Sequence, residues 1–311
     1  MYIGQDFLDL RSMSTSSTQH PKGLYVLFTT EMWERFNFYG MRALLTLFLV
    51  NALAFRQDES SILYGGFLGL SYITPMLGGF ISDRYLGNRI CIIIGGLVMA
   101  TGQLFLFSSA STFAIDLSLA TNLMWTGLAF LIFGNGFFKP NISSMVGSLY
   151  PKQEKSKLDS AFTIFYMGIN LGSFLATIIC AWLGENYGWS YGFAAAGIGM
   201  FFGLITFISG KRFLEGKGES LVPEMLVKTS FGIKNEWLIY GASALSALFF
   251  WQMVQSHEAV SWILKIAGGL SFLYIVYFAV TQLSGKERDQ LIALTILIVF
   301  TIVFWALFEQ A

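Results

Sequence analysis

The sequence predicts an all-α membrane protein of about nine spans. Three observations carry that reading. Of 311 residues, 55% are hydrophobic and 12% charged, with a mean hydropathy of +0.61; a soluble domain is nearer a quarter charged. Apolar segments recur near 24–51, 61–82, 90–109, 122–147, 160–183, 191–209, 237–256, 260–282 and 290–311, each long enough to cross ~30 Å of hydrocarbon as a helix. The lysines and arginines that lie outside these segments fall, all but one, in alternate loops.

Residues 1–23 are polar as far as Lys22 and precede a first apolar run of span length, unlike a short signal peptide. Placing them in the cytoplasm puts fourteen of the 19 Lys and Arg on that side and only Arg56 in an outer loop. The other four, Arg35, Arg42, Lys139 and Lys265, lie within spans. The first and fourth segments exceed the bilayer thickness, implying tilt or extension. Six spans occupy 24–209, and a Gly-, Lys- and Glu-rich loop over 210–236 separates them from three more. The last segment stops at Ala311, so the span count is odd, and the chain reads as the N-terminal piece of a longer protein. Gly65-x-x-x-Gly69 and Gly199-x-x-x-Gly203 are spaced for close helix packing. Cys91 and Cys180 sit in separate apolar runs and read as buried free thiols. Net charge is zero and implies no nucleic-acid partner. No metal-ligand cluster, nucleotide loop or nucleophile–base arrangement appears, so an enzyme is not expected. His20 and His257 fall in polar flanks and read as solvated.

The chemistry begins at Glu31-Met-Trp-Glu34-Arg35-Phe-Asn-Phe38-Tyr39-Gly-Met-Arg42. Ionisable groups in hydrocarbon cost ~3 kcal/mol each on insertion scales. Four in one span must face protein or water. At ~100° per residue, positions 31, 34, 35, 38, 39 and 42 share one broad stripe, while Phe36, Met41, Leu44 and Leu45 suit lipid or packing. The stripe reads as a polar wall along a path.

Gly79-Phe-Ile-Ser-Asp83-Arg84-Tyr-Leu-Gly87-Asn-Arg89 closes the second span. Asp83 there can meet a neighbouring helix N-terminus or pair with Arg89. Gly134-Asn-Gly-Phe-Phe-Lys139-Pro140-Asn141 puts a cation at membrane depth beside a helix-kinking proline; Lys139 needs a carboxylate, and Glu31 and Glu34 are the candidates. Lys265, only a few residues into its span, snorkels. Asn170, in Phe165-Tyr166-Met-Gly-Ile-Asn170-Leu-Gly172, can bond a ligand amide or another helix. Glu309 follows Trp305 by one turn on the same face, as a ligand group or as an interfacial acid beside a belt tryptophan.

Together these segments resemble the proton-dependent oligopeptide transporter family of the major facilitator superfamily. The likeness rests on E-x-x-E-R-F-x-[FY]-Y-G-x-R in the first span, the G-x-x-x-D-R loop, F-x-K-P-N in the fourth span, the fifth-span run ending N-x-G, and F-W-x-x-x-E-Q. It covers the whole chain, about two-thirds of a family member. The resemblance implies a six-span N-terminal bundle over 24–209, a cytoplasmic linker over 210–236, two inserted helices over 237–282, and the first span of an incomplete C-terminal bundle over 290–311. It implies symport of di- and tripeptides with protons across the bacterial inner membrane, with the proton as coupling ion, no cofactor, and a monomer at full length. Glu31, Glu34, Arg35, Lys139 and Glu309 would couple protons. Arg35, Tyr39, Arg42, Tyr72, Lys139, Asn170, Trp305 and Glu309 would bind peptide, and Asp83, Arg84 and Arg89 would form the conformational loop. Phe38 departs from the family, replacing the first of two tyrosines and losing a hydroxyl.

The residue types suit that task. A peptide always offers an ammonium, a carboxylate and amides, which fixed charges read, while aromatic walls tolerate varied side chains. An ionised Glu31 or Glu34 holds Arg35 and Lys139; protonation loosens the grip and frees a cation for the peptide carboxylate. Two alternatives stand beside this one. The same fold can carry another small anion such as nitrate, or a truncated chain can bind without transport.

Overall fold

The structure is a computed structural model that describes residues 19–151 and 153–308. Nine long helices run through those residues: α1 (Lys22–Asn51), α2 (Gln57–Ile81), α3 (Asn88–Thr112), α4 (Leu117–Ser148), α5 (Lys155–Tyr187), α6 (Trp189–Ser209), α8 (Asn235–Gln255), α9 (His257–Gln282) and α10 (Gly285–Phe308). They match the nine predicted segments, with ends shifted by a few residues. Seven are long and apolar enough to cross a membrane by length and composition alone; α1 and α2 are not among them. The reason in α1 is its five charges, Lys22, Glu31, Glu34, Arg35 and Arg42, and α2 is diluted by Gly, Ser, Tyr and Pro75.

The loop 210–236 carries more structure than its composition predicts. It holds a 3₁₀ turn (Gly210–Phe213), the short α7 (Pro223–Val227), and a hairpin of β1 (Thr229–Ser230) and β2 (Ile233–Lys234), with Thr229 opposite Lys234. A π-helical turn, Ser82–Leu86, joins α2 to α3, and Gly87 leaves it at φ +79°, a left-handed value glycine adopts without strain.

Residues as far as Gln255 form one compact unit and Ser256 onward a second. In the first unit α1 is central, packed mainly on α5 and α6, while α3 packs on α4 and α6 and α2 on α4. Phe36, Met41, Leu44 and Leu45 are all buried, so the face opposite the polar stripe meets protein rather than lipid. Lipid tails give helices little hydrophobic reason to associate, and close backbone approach takes over. A Cβ on Gly136 would lie 2.7 Å from that of Thr74 on α2, and one on Gly95 2.6 Å from the Gly134 carbonyl oxygen. The Gly199/Gly203 pair faces Phe36 and Trp33 of α1 as its spacing predicts. The Gly65/Gly69 pair does not follow: Gly65 is exposed with no atom within 4 Å of its Cβ position. Cys91 and Cys180 are buried free thiols. In the second unit, α9 packs on α10, burying Ala279 and Thr295.

Candidate functional site

Three ionisable side chains meet inside the first unit. Glu31, Glu34 and Arg35 are 2%, 0% and 4% exposed. The Arg35 Nε lies 3.0 Å from Glu31 Oε1 and 2.5 Å from Glu34 Oε2. The approach satisfies distance but not alignment, because Glu31 Oε2, both Glu34 oxygens, and Arg35 Nε and Nη2 lack a hydrogen-bond partner of proper geometry. Two acids thus share one cation in a dry setting, where an imperfectly bonded charge is costly.

The fold holds this cluster through α5. The Cβ that Gly172 lacks would fall 2.1 Å from the Met32 carbonyl oxygen and 3.1 Å from Arg35 Cβ. A glycine at that position lets α5 close over α1 at the level of the acids. Phe38 stands one turn further on, with the Arg35 guanidinium 5.5 Å from its ring centre and Phe67 stacked at 6.0 Å. Substituting phenyl for phenol therefore keeps the cation–π surface.

Lys139 does not take the predicted carboxylate partner. It makes no ion pair among the described residues, and its Nζ sits 4.5 Å from the centre of the Tyr72 ring. Arg35, on the same helix as both acids, already occupies their nearer oxygens. The motif around Lys139 explains its placement. Gly134 seats α4 on α3, Gly136 seats it on α2, and Thr74 donates a hydrogen bond to the Ile132 carbonyl at 3.1 Å. Pro140 removes the amide that would otherwise bond the Gly136 carbonyl, and that oxygen lies against Gly78 instead. Lys139 and Tyr72 consequently share one wall, both at least partly exposed.

Arg42 is half-buried between two rings, 5.2 Å from the centre of Tyr39 and 5.5 Å from Tyr64, and its Nε donates to the Tyr64 hydroxyl at 2.7 Å. Tyr64 escaped the sequence reading; its position about two turns before Tyr72 on α2 was the available signal. A second omission is a buried polar link behind the stripe. Asn37 donates to the Ala196 carbonyl at 3.1 Å, and Gln103 to the Asn37 carbonyl at 3.3 Å, joining α1, α6 and α3. Asn170 is exposed and donates to the Tyr166 carbonyl of its own helix at 3.1 Å, so it makes no bridge to another helix.

The loop residues also differ from expectation. Asp83 and Arg84 are exposed on the π-helical turn. Arg89 pairs with Glu219 of the linker rather than with Asp83, and its amide donates to the Gly218 carbonyl at 2.9 Å. Ser220 donates to the Tyr85 carbonyl. Sequence separation hid this strap. His20 is half-buried, with Nδ1 2.7 Å from the Tyr150 hydroxyl, not simply solvated. Trp305, in the second unit, is 50% exposed beside Phe304 and Phe308, and Lys265 is exposed over Trp262. Glu309, Arg11, Lys152 and the His257 side chain lie outside the described residues.

In fold, this helical bundle, with two acids and an arginine buried on α1, is similar to transporters of the major facilitator type. The chain belongs to the POT family, whose profile matches residues 89–311. It is 31% identical to the dipeptide and tripeptide permease A of Proteus mirabilis (strain HI4320) over 302 residues, 97% of this chain and 59% of that protein. A crystal structure of a mutant peptide transporter POT in complex with sulfate superposes with a TM-score of 0.73 at 29% identity, over 99% of this chain and 63% of the other. The tetrameric PepTSo2 structure gives a TM-score of 0.76 at 28% identity, over 93% and 60%. The chain thus spans about three-fifths of the length of such relatives.

Proposed function

We propose that the whole protein is a proton-coupled symporter of di- and tripeptides in the bacterial inner membrane, with its N-terminus in the cytoplasm. The observation that carries this is the sharing of Arg35 by Glu31 and Glu34 in a buried cluster, with Lys139 held nearby on an aromatic ring. With both acids ionised, the cluster has an unbalanced negative charge that a proton or the Lys139 ammonium can offset. A proton on either acid relaxes the demand on both cations, and Lys139 then turns to the peptide carboxylate. Tyr39, Arg42, Tyr72 and Asn170 are the peptide-binding residues of this reading in the first unit, and Trp305 and Glu309 are those it assigns to a later span. The proton is the coupling ion, no resident cofactor or catalytic step is involved, and the full-length protein works as a monomer. The permease and peptide-transporter relatives favour peptide over nitrate.

The test is Glu34→Gln in the complete protein, reconstituted in liposomes. Accumulation of dialanine under an imposed pH gradient should be abolished, while peptide–peptide exchange without a gradient persists. Undiminished accumulation would overturn the coupling role.

A further inference from the structure

Arg42 stands on a loosely packed border. Helix α2 packs chiefly on α4 and only lightly on α1, so close helix packing does little to fix a long arginine stem there. Two tyrosines hold it instead. Tyr39, three residues earlier on α1, has its ring centre 5.2 Å from the guanidinium carbon, and Tyr64 of α2 has its own at 5.5 Å. The Tyr64 hydroxyl also accepts from Arg42 Nε at 2.7 Å.

The support behind Tyr64 is firm. Leu63, Phe67, Leu70 and Thr74 are buried along one stripe of α2, at the spacing of one helix face. Thr74 is tied to the Ile132 carbonyl of α4 at 3.1 Å. Tyr64 stands half-buried at the edge of that stripe. Arg42 is therefore referred to α2, and through it to α4, rather than to its own helix alone. Tyr72 meets Lys139 of α4 in a similar way, with Nζ 4.5 Å from its ring centre, ~12 Å further along the same helix. One helix thus seats a cation from each of two neighbours.

The two contacts that Tyr64 makes do different things. Attraction to a ring face is broad in angle, and it leaves the guanidinium plane able to turn. A hydrogen bond from Nε is directional, and it fixes that plane. An arginine stem carries large rotamer entropy, so fixing it before the ligand arrives removes that cost from binding.

We propose that Tyr64 is a positioning residue for peptide binding, its hydroxyl setting the orientation of the Arg42 guanidinium. The inference rests on the reading of Arg42 as a peptide-binding residue.

A double-mutant cycle on the complete protein tests it, with dialanine binding measured by competition against a labelled peptide and a thermal melt before each titration to confirm folding. Tyr64→Phe keeps the ring face and removes the hydroxyl. It should weaken dialanine binding roughly tenfold, the scale of a hydrogen bond to a charged group. In an Arg42→Leu background, itself weakened, the same change should alter affinity by less than about twofold. A tyrosine that merely supports the fold would lower affinity by the same factor in both backgrounds. That result, or unchanged or tighter binding by Tyr64→Phe alone, would overturn the positioning role. If Arg42→Leu weakens binding and Tyr64→Phe does not, the positioning falls while Arg42 keeps its place. If Arg42→Leu binds dialanine as tightly as the unaltered protein, Arg42 loses that place and the positioning falls with it.

Discussion

Gly172 of α5 lies so close to Met32 of α1 that a Cβ on the glycine would fall 2.1 Å from the Met32 carbonyl oxygen. Backbone carbonyls inside a helix cannot swing aside as a flexible side-chain end can. Gly172→Ala should therefore push α5 from α1 beside Arg35, costing on the order of 1–3 kcal/mol as overpacking does. Gly65→Ala, built into open space, should be neutral or mildly stabilising. Thermal melts of the two variants in detergent check this, and equal melting temperatures would contradict it.

Arg35 holds two buried acids, so removing it alone is the harshest change to the cluster. Arg35→Leu should destabilise the protein by about 3–5 kcal/mol, because uncompensated buried charge is left behind. Adding Glu31→Gln and Glu34→Gln should recover most of that loss. Unfolding of the single and triple variants decides the matter, and a triple variant no more stable than the single one would refute it.

The ring of Tyr72 under Lys139 predicts a graded response. Tyr72→Phe keeps the aromatic face and should leave the apparent affinity for dialanine nearly unchanged. Tyr72→Ala loses a contact worth about 1 kcal/mol, and should weaken it roughly fivefold. Competition against a labelled peptide measures both; an equal loss in the two variants would assign the effect to the hydroxyl.

The strap between the linker and the α2–α3 loop should depend more on backbone than on charge. Arg89 and Glu219 are both partly exposed, so their coupling in a double-mutant cycle should stay below about 1 kcal/mol. Gly87→Ala combines a strained φ of +79° with a Cβ 2.6 Å from the Gly218 carbonyl oxygen, and should free the linker. Limited proteolysis across 214–222 should be faster in Gly87→Ala than in Glu219→Ala.

The helices were legible because a span of ~20 apolar residues is a demand of the bilayer, written residue by residue. The acid–arginine stripe was legible for the same reason, since charges in α1 stand out against hydrocarbon. Partners were harder. Lys139 needed a counter-charge on electrostatic grounds, yet the nearest cation to both acids was Arg35, an outcome set by side-chain reach along one helix. The Arg89–Glu219 pair joins residues far apart in the chain, and no periodicity announces such a contact. The same holds for Tyr64 with Arg42 and for Gln103 with Asn37. In the linker, Gly, Lys and Glu read as loop, while α7 and the hairpin draw on pairing and packing that composition does not show.

Helices α2 and α4 touch through bare backbone at Gly78 and Gly136, where a Cβ on Gly78 would lie 2.0 Å from the Gly136 carbonyl oxygen. A joint without side chains has no rotamers to adjust, so the panel bearing Tyr72 and Lys139 has a set width. In the symporter proposed above, differences among peptides would have to be met by side chains that can turn, such as Tyr72 and Lys139 themselves, and not by movement of α2 against α4.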